Sequence, residues 1–135
     1  MLSRHDGPRV ASRIALTIQA WLGLLVFDLV LLAGFARVHD WLKRRRPRSR
    51  RALHSTPDDV VWAVDEACVW YVKRVACLQR SVIATWLLRR DGLQAELVIG
   101  YRPLPFESHA WVEVDGQVVN DRPQYQKFFT VLDRL

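Results

Sequence analysis

One long apolar segment limits the folds open to this chain more than any other feature. Residues Ile14–Phe35 form a run of 22 residues that is long enough for a helix to cross a bilayer. At 100° per residue, Arg13, Thr17 and Asp28 fall within about 60° of one another and form a narrow polar stripe. An unpaired carboxylate is costly in hydrocarbon. The pattern therefore favours a helix that packs against another protein surface, with membrane contact as the alternative.

The positive charge of the chain is concentrated in one short stretch. The net charge is +6, yet Lys43–Arg51 alone carries seven basic residues, and the remainder holds 13 basic and 14 acidic residues. Because the basic excess is local, we expect no nucleic-acid-binding face. Pro47 stops a helix and like charges repel, so this stretch is predicted to be a linker. We accordingly predict an N-terminal helical region with a loose leader and the basic linker (residues 1–55), followed by a second domain (residues 56–135).

The two cysteines lie in two predicted helices. Thr56 is a good cap for the first helix and Pro57 suits its first turn, and Cys68 falls on the apolar stripe of this helix. Cys77 opens the second helix, which Gly92 ends. The chain has no CxxC pair, which argues against a disulfide scaffold or a structural zinc site and fits a reducing cytosol. Cys68 is expected to be an inert, buried residue.

A hairpin is predicted over His109–Asp121, with a histidine at one end and an acid at the other. If Asp115-Gly116 forms a two-residue turn, Asn120 lies on the histidine face and Asp121 does not. If the turn is a three-residue loop with a glycine bulge, His109 faces Asp121 directly. The residues alone leave Asp121 and Asn120 as rival partners for the histidine.

The chemistry available to Cys77, His109 and Asp121 is that of a nucleophilic triad. A helix N-terminus stabilises a thiolate and can hold an oxyanion. A neighbouring histidine can take the thiol proton and later protonate the leaving amine. A carboxylate behind the imidazole fixes its tautomer.

The segment that contains these residues resembles the transglutaminase-like peptidase domain of lasso peptide biosynthesis B proteins. The matching pieces are Cys-Leu followed by Arg-Ser, Leu-Leu-Arg-Arg with a later Gly, "LVIG", "PF" followed by "HAWVEV", and the final Asn-Asp. The resemblance implies an α+β fold in which the catalytic cysteine, at a helix N-terminus, packs on a small antiparallel sheet. It also implies Cys77 as nucleophile, His109 as base and Asp121 as orienting group, which favours the bulged hairpin.

The resemblance further implies a function and partners. In that family the triad removes the leader peptide from a ribosomally made precursor. The expected partners are this leader peptide, a separate leader-recognition protein and a macrolactam synthetase that closes the ring. The region before residue 56 shows one apolar helix and not the strands of a peptide-docking domain, so the stand-alone peptidase form is expected. Membrane association is possible but not favoured.

Two alternative functions remain at this point. An acyl transferase or transglutaminase would use the same triad and pass the acyl group to an amine. A partner-binding module would not use the triad at all. No phosphate-binding glycine loop or metal-ligand spacing occurs in the chain, so no cofactor is predicted. Trp70, Tyr71 and Gln79 are candidate second donors to the oxyanion.

Overall fold

The computed structural model describes residues 7–45 and 56–135, and these form five helices and one four-stranded sheet. The helices are α1 (Gly7–Leu31), α2 (Phe35–Arg44), α3 (Pro57–Val69), α4 (Cys77–Arg90) and α5 (Tyr125–Phe128). The strands are β1 (Ala95–Pro103), β2 (Phe106–Val114), β3 (Gln117–Val118) and β4 (Thr130–Arg134). The predicted α+β class is confirmed. Most of the predicted basic linker, residues 46–51, lies outside the described residues, as do residues 1–6 of the predicted leader.

The apolar segment lies almost entirely in α1, and only its last residue, Phe35, belongs to α2. α1 already begins at Gly7, so the predicted loose leader is wrong from that residue onward, and α1 ends at Leu31. Gly34 lies between the two helices with a φ of 106°, a backbone conformation that only glycine adopts without strain. α2 therefore starts in a new direction at Phe35.

The inner face of α1 is part of the main hydrophobic core. Four side chains spaced at helical intervals are buried there and join the same cluster as the apolar residues of α3, α4 and the sheet: Leu16, Ala20, Leu24 and Phe27. Gly23 allows a close approach between α1 and α4, since a Cβ at this position would lie 3.2 Å from the side chain of Ile83. The N-terminal region and residues 56–135 thus share one core in this structure.

The polar stripe of α1 is also used in this packing. Asp28 accepts hydrogen bonds from Tyr71 Oη at 2.6 Å, from Lys73 Nζ at 2.7 Å and from Gln79 Nε2 at 3.2 Å. These donors more than offset the burial of the carboxyl group, and the pKa of Asp28 is lowered. As expected, Asp28 of the polar stripe faces the protein and not solvent, and its carboxylate has three hydrogen-bond donors.

The outer face of α1 carries exposed aliphatic side chains. They form a row along the helix: Ile14, Ile18, Leu22, Leu25, Val26, Leu29 and, just beyond its end, Leu32. Length and composition alone would allow the segment Ala11–Leu31 to cross a membrane, a property it shares with core helices and signal sequences.

The start of α3 follows the predicted capping chemistry. Thr56 Oγ1 accepts the backbone N–H of Asp59 at 3.2 Å, and the Asp59 carboxylate accepts the Thr56 N–H in return. Asp59 also receives a hydrogen bond from Arg13 Nε of α1 at 3.0 Å. The cap therefore fixes the beginning of the helix and contacts the N-terminal region.

The sheet is antiparallel, with the strand order β3-β2-β1-β4. α4 packs on one of its faces, where Ala110 and Val112 of β2 are buried. On the other face Trp111 lies over Gly100, where a Cβ would come within 2.7 Å of the indole ring. This arrangement brings the N-terminus of α4 next to the middle of β2.

Candidate active site

The hairpin after β2 has the two-residue turn, so the predicted glycine bulge is wrong. Val114 pairs with Gln117 and Glu113 with Val118, and the turn residues Asp115 and Gly116 have φ values of 52° and 76°. Positive φ at both central positions is the signature of a type I′ turn, which aspartate and glycine favour and which matches the twist of the strands. The local turn chemistry thus decides the register.

Asn120 holds the end of this hairpin in place. Its Oδ1 accepts the Val112 N–H at 2.7 Å, and its Nδ2 donates to Ser81 Oγ at 3.0 Å. Ser81 Oγ in turn donates to the Ala110 carbonyl at 3.1 Å. The buried amide of Asn120 joins α4 to β2 and does not contact the histidine in the role that the two-residue turn suggested.

Asp121 reaches His109 in spite of the register. β3 ends at Val118, and after it the backbone leaves the strand in a bend. Asp121 Oδ2 consequently lies 2.8 Å from His109 Nε2. The structure brings these two predicted residues together by the bend of the chain and not by cross-strand pairing.

Aromatic rings fix the orientation of the His109 ring. The centroid of the Tyr125 ring lies 4.6 Å from that of the imidazole, and the Phe129 ring lies at 5.8 Å. Trp111 stacks at 6.3 Å on the same face of β2. Since Nε2 faces Asp121, Nδ1 is the nitrogen left for the thiol.

Cys77 is the first residue of α4, as predicted, with Ala76 at the cap position. A hydrogen bond with His109 lowers the pKa of the Cys77 thiol against the opposing effect of burial, and the backbone N–H groups of Ala110 and Leu78 lower it further. The same hydrogen bond with Cys77, together with the one to Asp121, raises the pKa of His109. Each partner therefore favours the charged form of the other, which is the condition for a thiolate–imidazolium pair.

Cys68 has the opposite environment. Both cysteines are free thiols and both are partly buried. Burial, with a smaller contribution from the nearby Asp65, raises the pKa of Cys68 to about 11. A thiol of this kind is a poor nucleophile at neutral pH.

The three candidate oxyanion donors are all engaged elsewhere. Trp70 Nε1 donates to Glu66 at 3.0 Å, and Tyr71 and Gln79 both donate to Asp28. In this structure all three side chains therefore already have acceptors. The remaining donors at the site are the backbone N–H groups of the first turn of α4, which have no acceptor within the helix.

Arg80 is the site residue that the sequence predictions missed. Its Nη2 donates to Asp121 Oδ2 at 2.9 Å and to the Asn120 carbonyl at 3.5 Å. Arg80 lies three residues after Cys77 and hence on the same side of α4. That spacing, together with the Arg-Ser pair among the matching pieces, is the signal that could have identified it.

No metal centre competes with this arrangement in the described parts of the chain. Within residues 7–45 and 56–135, no three His, Cys, Asp or Glu side chains are grouped so that they could hold a metal ion.

Comparison with known proteins identifies the family. The family model of the transglutaminase-like superfamily matches residues 21–134. The chain belongs to this superfamily. The match includes half of α1, both cysteines, the hairpin and the last strand.

One relative of known role indicates a group within this superfamily. The microcin J25-processing protein McjB of Escherichia coli is 45% identical over 56 residues, which cover 42% of this chain and 27% of McjB. This similarity, together with the superfamily match, confirms the resemblance to lasso peptide biosynthesis B proteins. The match spans about a quarter of the length of McjB. No solved structure matches the chain significantly.

Proposed function

We propose that this protein is a cytosolic cysteine peptidase that removes the leader peptide from a lasso peptide precursor. Cys77 is the proposed nucleophile, His109 the acid–base group and Asp121 the orienting carboxylate. The observation that carries the proposal is the 2.8 Å contact between Asp121 Oδ2 and His109 Nε2, beside a Cys77 thiol whose pKa His109 lowers. McjB is, by its name, a microcin J25-processing protein, which supports a processing role here.

The first step is acylation. The Cys77 thiolate attacks the scissile carbonyl, a carbon–sulfur bond forms, and the oxygen becomes an oxyanion within reach of an N–H group at the start of α4. As the carbon–nitrogen bond breaks, the His109 imidazolium gives its proton to the leaving amine. The released amine is the new N-terminus of the core peptide, and the leader remains as a thioester on Cys77.

The second step is hydrolysis. His109, now neutral, takes a proton from water, and the resulting hydroxide attacks the thioester carbonyl. The carbon–sulfur bond breaks, the thiolate returns, and the leader leaves with a free carboxylate. Asp121 keeps Nε2 protonated throughout, so that Nδ1 stays free to exchange the proton.

Partners are part of the proposal. A separate leader-recognition protein would present the precursor, and a macrolactam synthetase would use the amine that cleavage releases. The exposed aliphatic row of α1 is the proposed docking surface for the leader-recognition protein, because such a continuous apolar face is unusual on a soluble monomer. Docking would raise the local concentration of the precursor at Cys77.

The test is mass spectrometry of the precursor after incubation with the protein and the leader-recognition protein. Hydrolysis gives two fragments whose masses sum to the precursor plus one water. Cys77→Ala should abolish them and Cys68→Ala should preserve them, with both variants shown to be folded by circular dichroism. Equal losses from both substitutions would contradict the assignment, and an amine adduct in place of the leader acid would identify an acyl transferase instead.

A further inference from the structure

The guanidinium of Arg80 lies between two carboxylates at the back of the site. Nη2 donates to Asp121 Oδ2 at 2.9 Å, and Nη1 lies 3.5 Å from Asp65 Oδ1 of α3. Nε of Arg80 is buried and has no acceptor among the described residues.

The Asp121 carboxylate has a full set of donors around it. Oδ2 receives both His109 Nε2 at 2.8 Å and Arg80 Nη2 at 2.9 Å, and Oδ1 receives the backbone N–H of Arg122 at 2.9 Å. Three donors from three directions leave the carboxylate one orientation. Only one of these donors, Arg80, comes from the helix that carries the nucleophile.

The hairpin cannot supply this constraint by itself. β3 pairs with β2 only through Gln117 and Val118, and Asp121 lies three residues beyond the last pair. The two-residue turn would place Asn120, and not Asp121, on the histidine side of a continued strand. Asn120 anchors the neighbouring residue to β2 and α4, whereas Arg80 is the contact from outside the hairpin that acts on the Asp121 carboxylate itself.

We propose that Arg80 is a positioning residue that holds the Asp121 carboxylate in line with His109, and thereby links the orienting group to the helix of Cys77. The planar guanidinium suits this task, because it is one rigid group whose two Nη atoms contact Asp121 and Asp65. The structural part of this inference is independent of the proposed function, and only the activity measurement below rests on it.

A competing interpretation is that Arg80 is merely a positive neighbour of the site. The titratable groups around His109 are Cys77 from α4, Asp121 from the bend and Tyr125 from α5, and the charge of Arg80 lies behind Asp121. The two interpretations predict opposite signs. If Arg80 positions Asp121, its removal lets the carboxylate move away from His109 Nε2, and the pKa of His109 falls because the imidazolium loses its carboxylate partner. If Arg80 were only a nearby charge, its removal would raise the His109 pKa.

The experiment is an NMR titration of the His109 ring in the full chain, with ring nitrogen shifts to report the tautomer. The chain has four histidines, so the His109 signals are assigned with His109→Gln. We expect Arg80→Met to lower the His109 pKa and to reduce the fraction of the Nε2–H tautomer, as Asp121→Ala does. The double variant should match Asp121→Ala alone. A rise in the His109 pKa, an unchanged titration, or additive effects in the double variant would overturn the proposal.

Controls separate this role from a general effect on the fold. Arg90→Met removes a positive charge from the other end of α4, where Arg90 contacts Trp86 and Asp91, and should leave the His109 titration unchanged. Arg80→Lys keeps the charge and one donor to Asp121, so it should restore part of the wild-type tautomer. If Arg80→Met does not fold, the same comparison is made with Arg80→Lys, for which a wild-type pKa and tautomer together with a wild-type rate would overturn the proposal.

The activity measurement follows the titration. For precursor cleavage we expect Arg80→Met to lower kcat by about 10²-fold with little change in KM, at the low end of the contribution of a positioned acid–base group. Because the NMR measurement needs no substrate, it can support the positioning role even if the precursor turns out not to be the substrate. Failure of the proposed function and failure of this inference are thus distinguishable.

Discussion

The packing of α1 on the catalytic core can be tested with two identical substitutions two residues apart. Leu24 is fully buried against the core, whereas Leu22 is 50% exposed on the outer face of the same helix. Leu24→Ala removes buried methyl groups and leaves a cavity, and changes of this kind cost about 2–5 kcal/mol. Gln79 holds the Leu24 carbonyl at 3.1 Å, so the helix cannot move freely into the space. We therefore expect a loss of about 3 kcal/mol.

The matched substitution gives the control. Leu22→Ala makes the same chemical change on a half-exposed position, and alanine is at least as good a helix former as leucine, so the expected loss is below about 1 kcal/mol. Urea unfolding followed by circular dichroism gives both values, and the slope of the transition should be the same for both variants. A loss of about 3 kcal/mol is a large part of the 5–15 kcal/mol typical of a domain.

Two results would refute the reasoning. If both substitutions cost less than about 0.5 kcal/mol, α1 does not belong to the folded core, and the membrane interpretation of its sequence gains support. If Leu22→Ala costs as much as Leu24→Ala, the outer face is buried in solution, and the exposed row is not available as a docking surface.

Three further predictions follow from the site. Iodoacetamide at neutral pH should modify Cys77 well before Cys68, because His109 lowers the pKa of Cys77 and burial raises the pKa of Cys68 to about 11. Equal modification rates of the two cysteines, measured by peptide mapping, would contradict this. Asp121→Ala should lower kcat on the order of 10³–10⁴-fold, because His109 loses its orienting carboxylate. Asn120→Ala should mainly reduce the free energy of unfolding, by about 1–3 kcal/mol, because the buried Val112 N–H loses its acceptor, and the reverse ranking of the two kcat values would make Asn120 the orienting group. The leader-recognition protein should accelerate precursor cleavage, and the variant Ile18→Glu on the outer face of α1 should lose this acceleration while it keeps the basal rate. An unchanged acceleration would show that this face is not the docking surface.

Elements whose signals are local could be predicted from the sequence. Thr56, Pro57 and Asp59 lie within four residues of each other, and their capping chemistry fixes where α3 begins. The start of α4 at Cys77 was also predicted, although Ala76 at its cap position makes no side-chain hydrogen bond. The turn at Asp115-Gly116 is local as well, and its two-residue form is one of the two geometries that the residues allow. The bulged form, which the resemblance favoured, does not occur.

The assembly of the site depends on contacts between elements that are far apart in the chain. Arg80 and Asp121 are 41 positions apart, and no periodicity in the sequence reports a contact over that distance. The same holds for Asn120, whose amide reaches Ser81 of α4 only because the sheet packs on that helix. Asp28 had a visible role as a polar residue in an apolar helix, but its donors come from a loop and a helix more than 40 residues later. Local propensity fixes where a helix or turn occurs, whereas the partners of a buried polar group depend on which surfaces meet, and that is settled by the packing of the whole core.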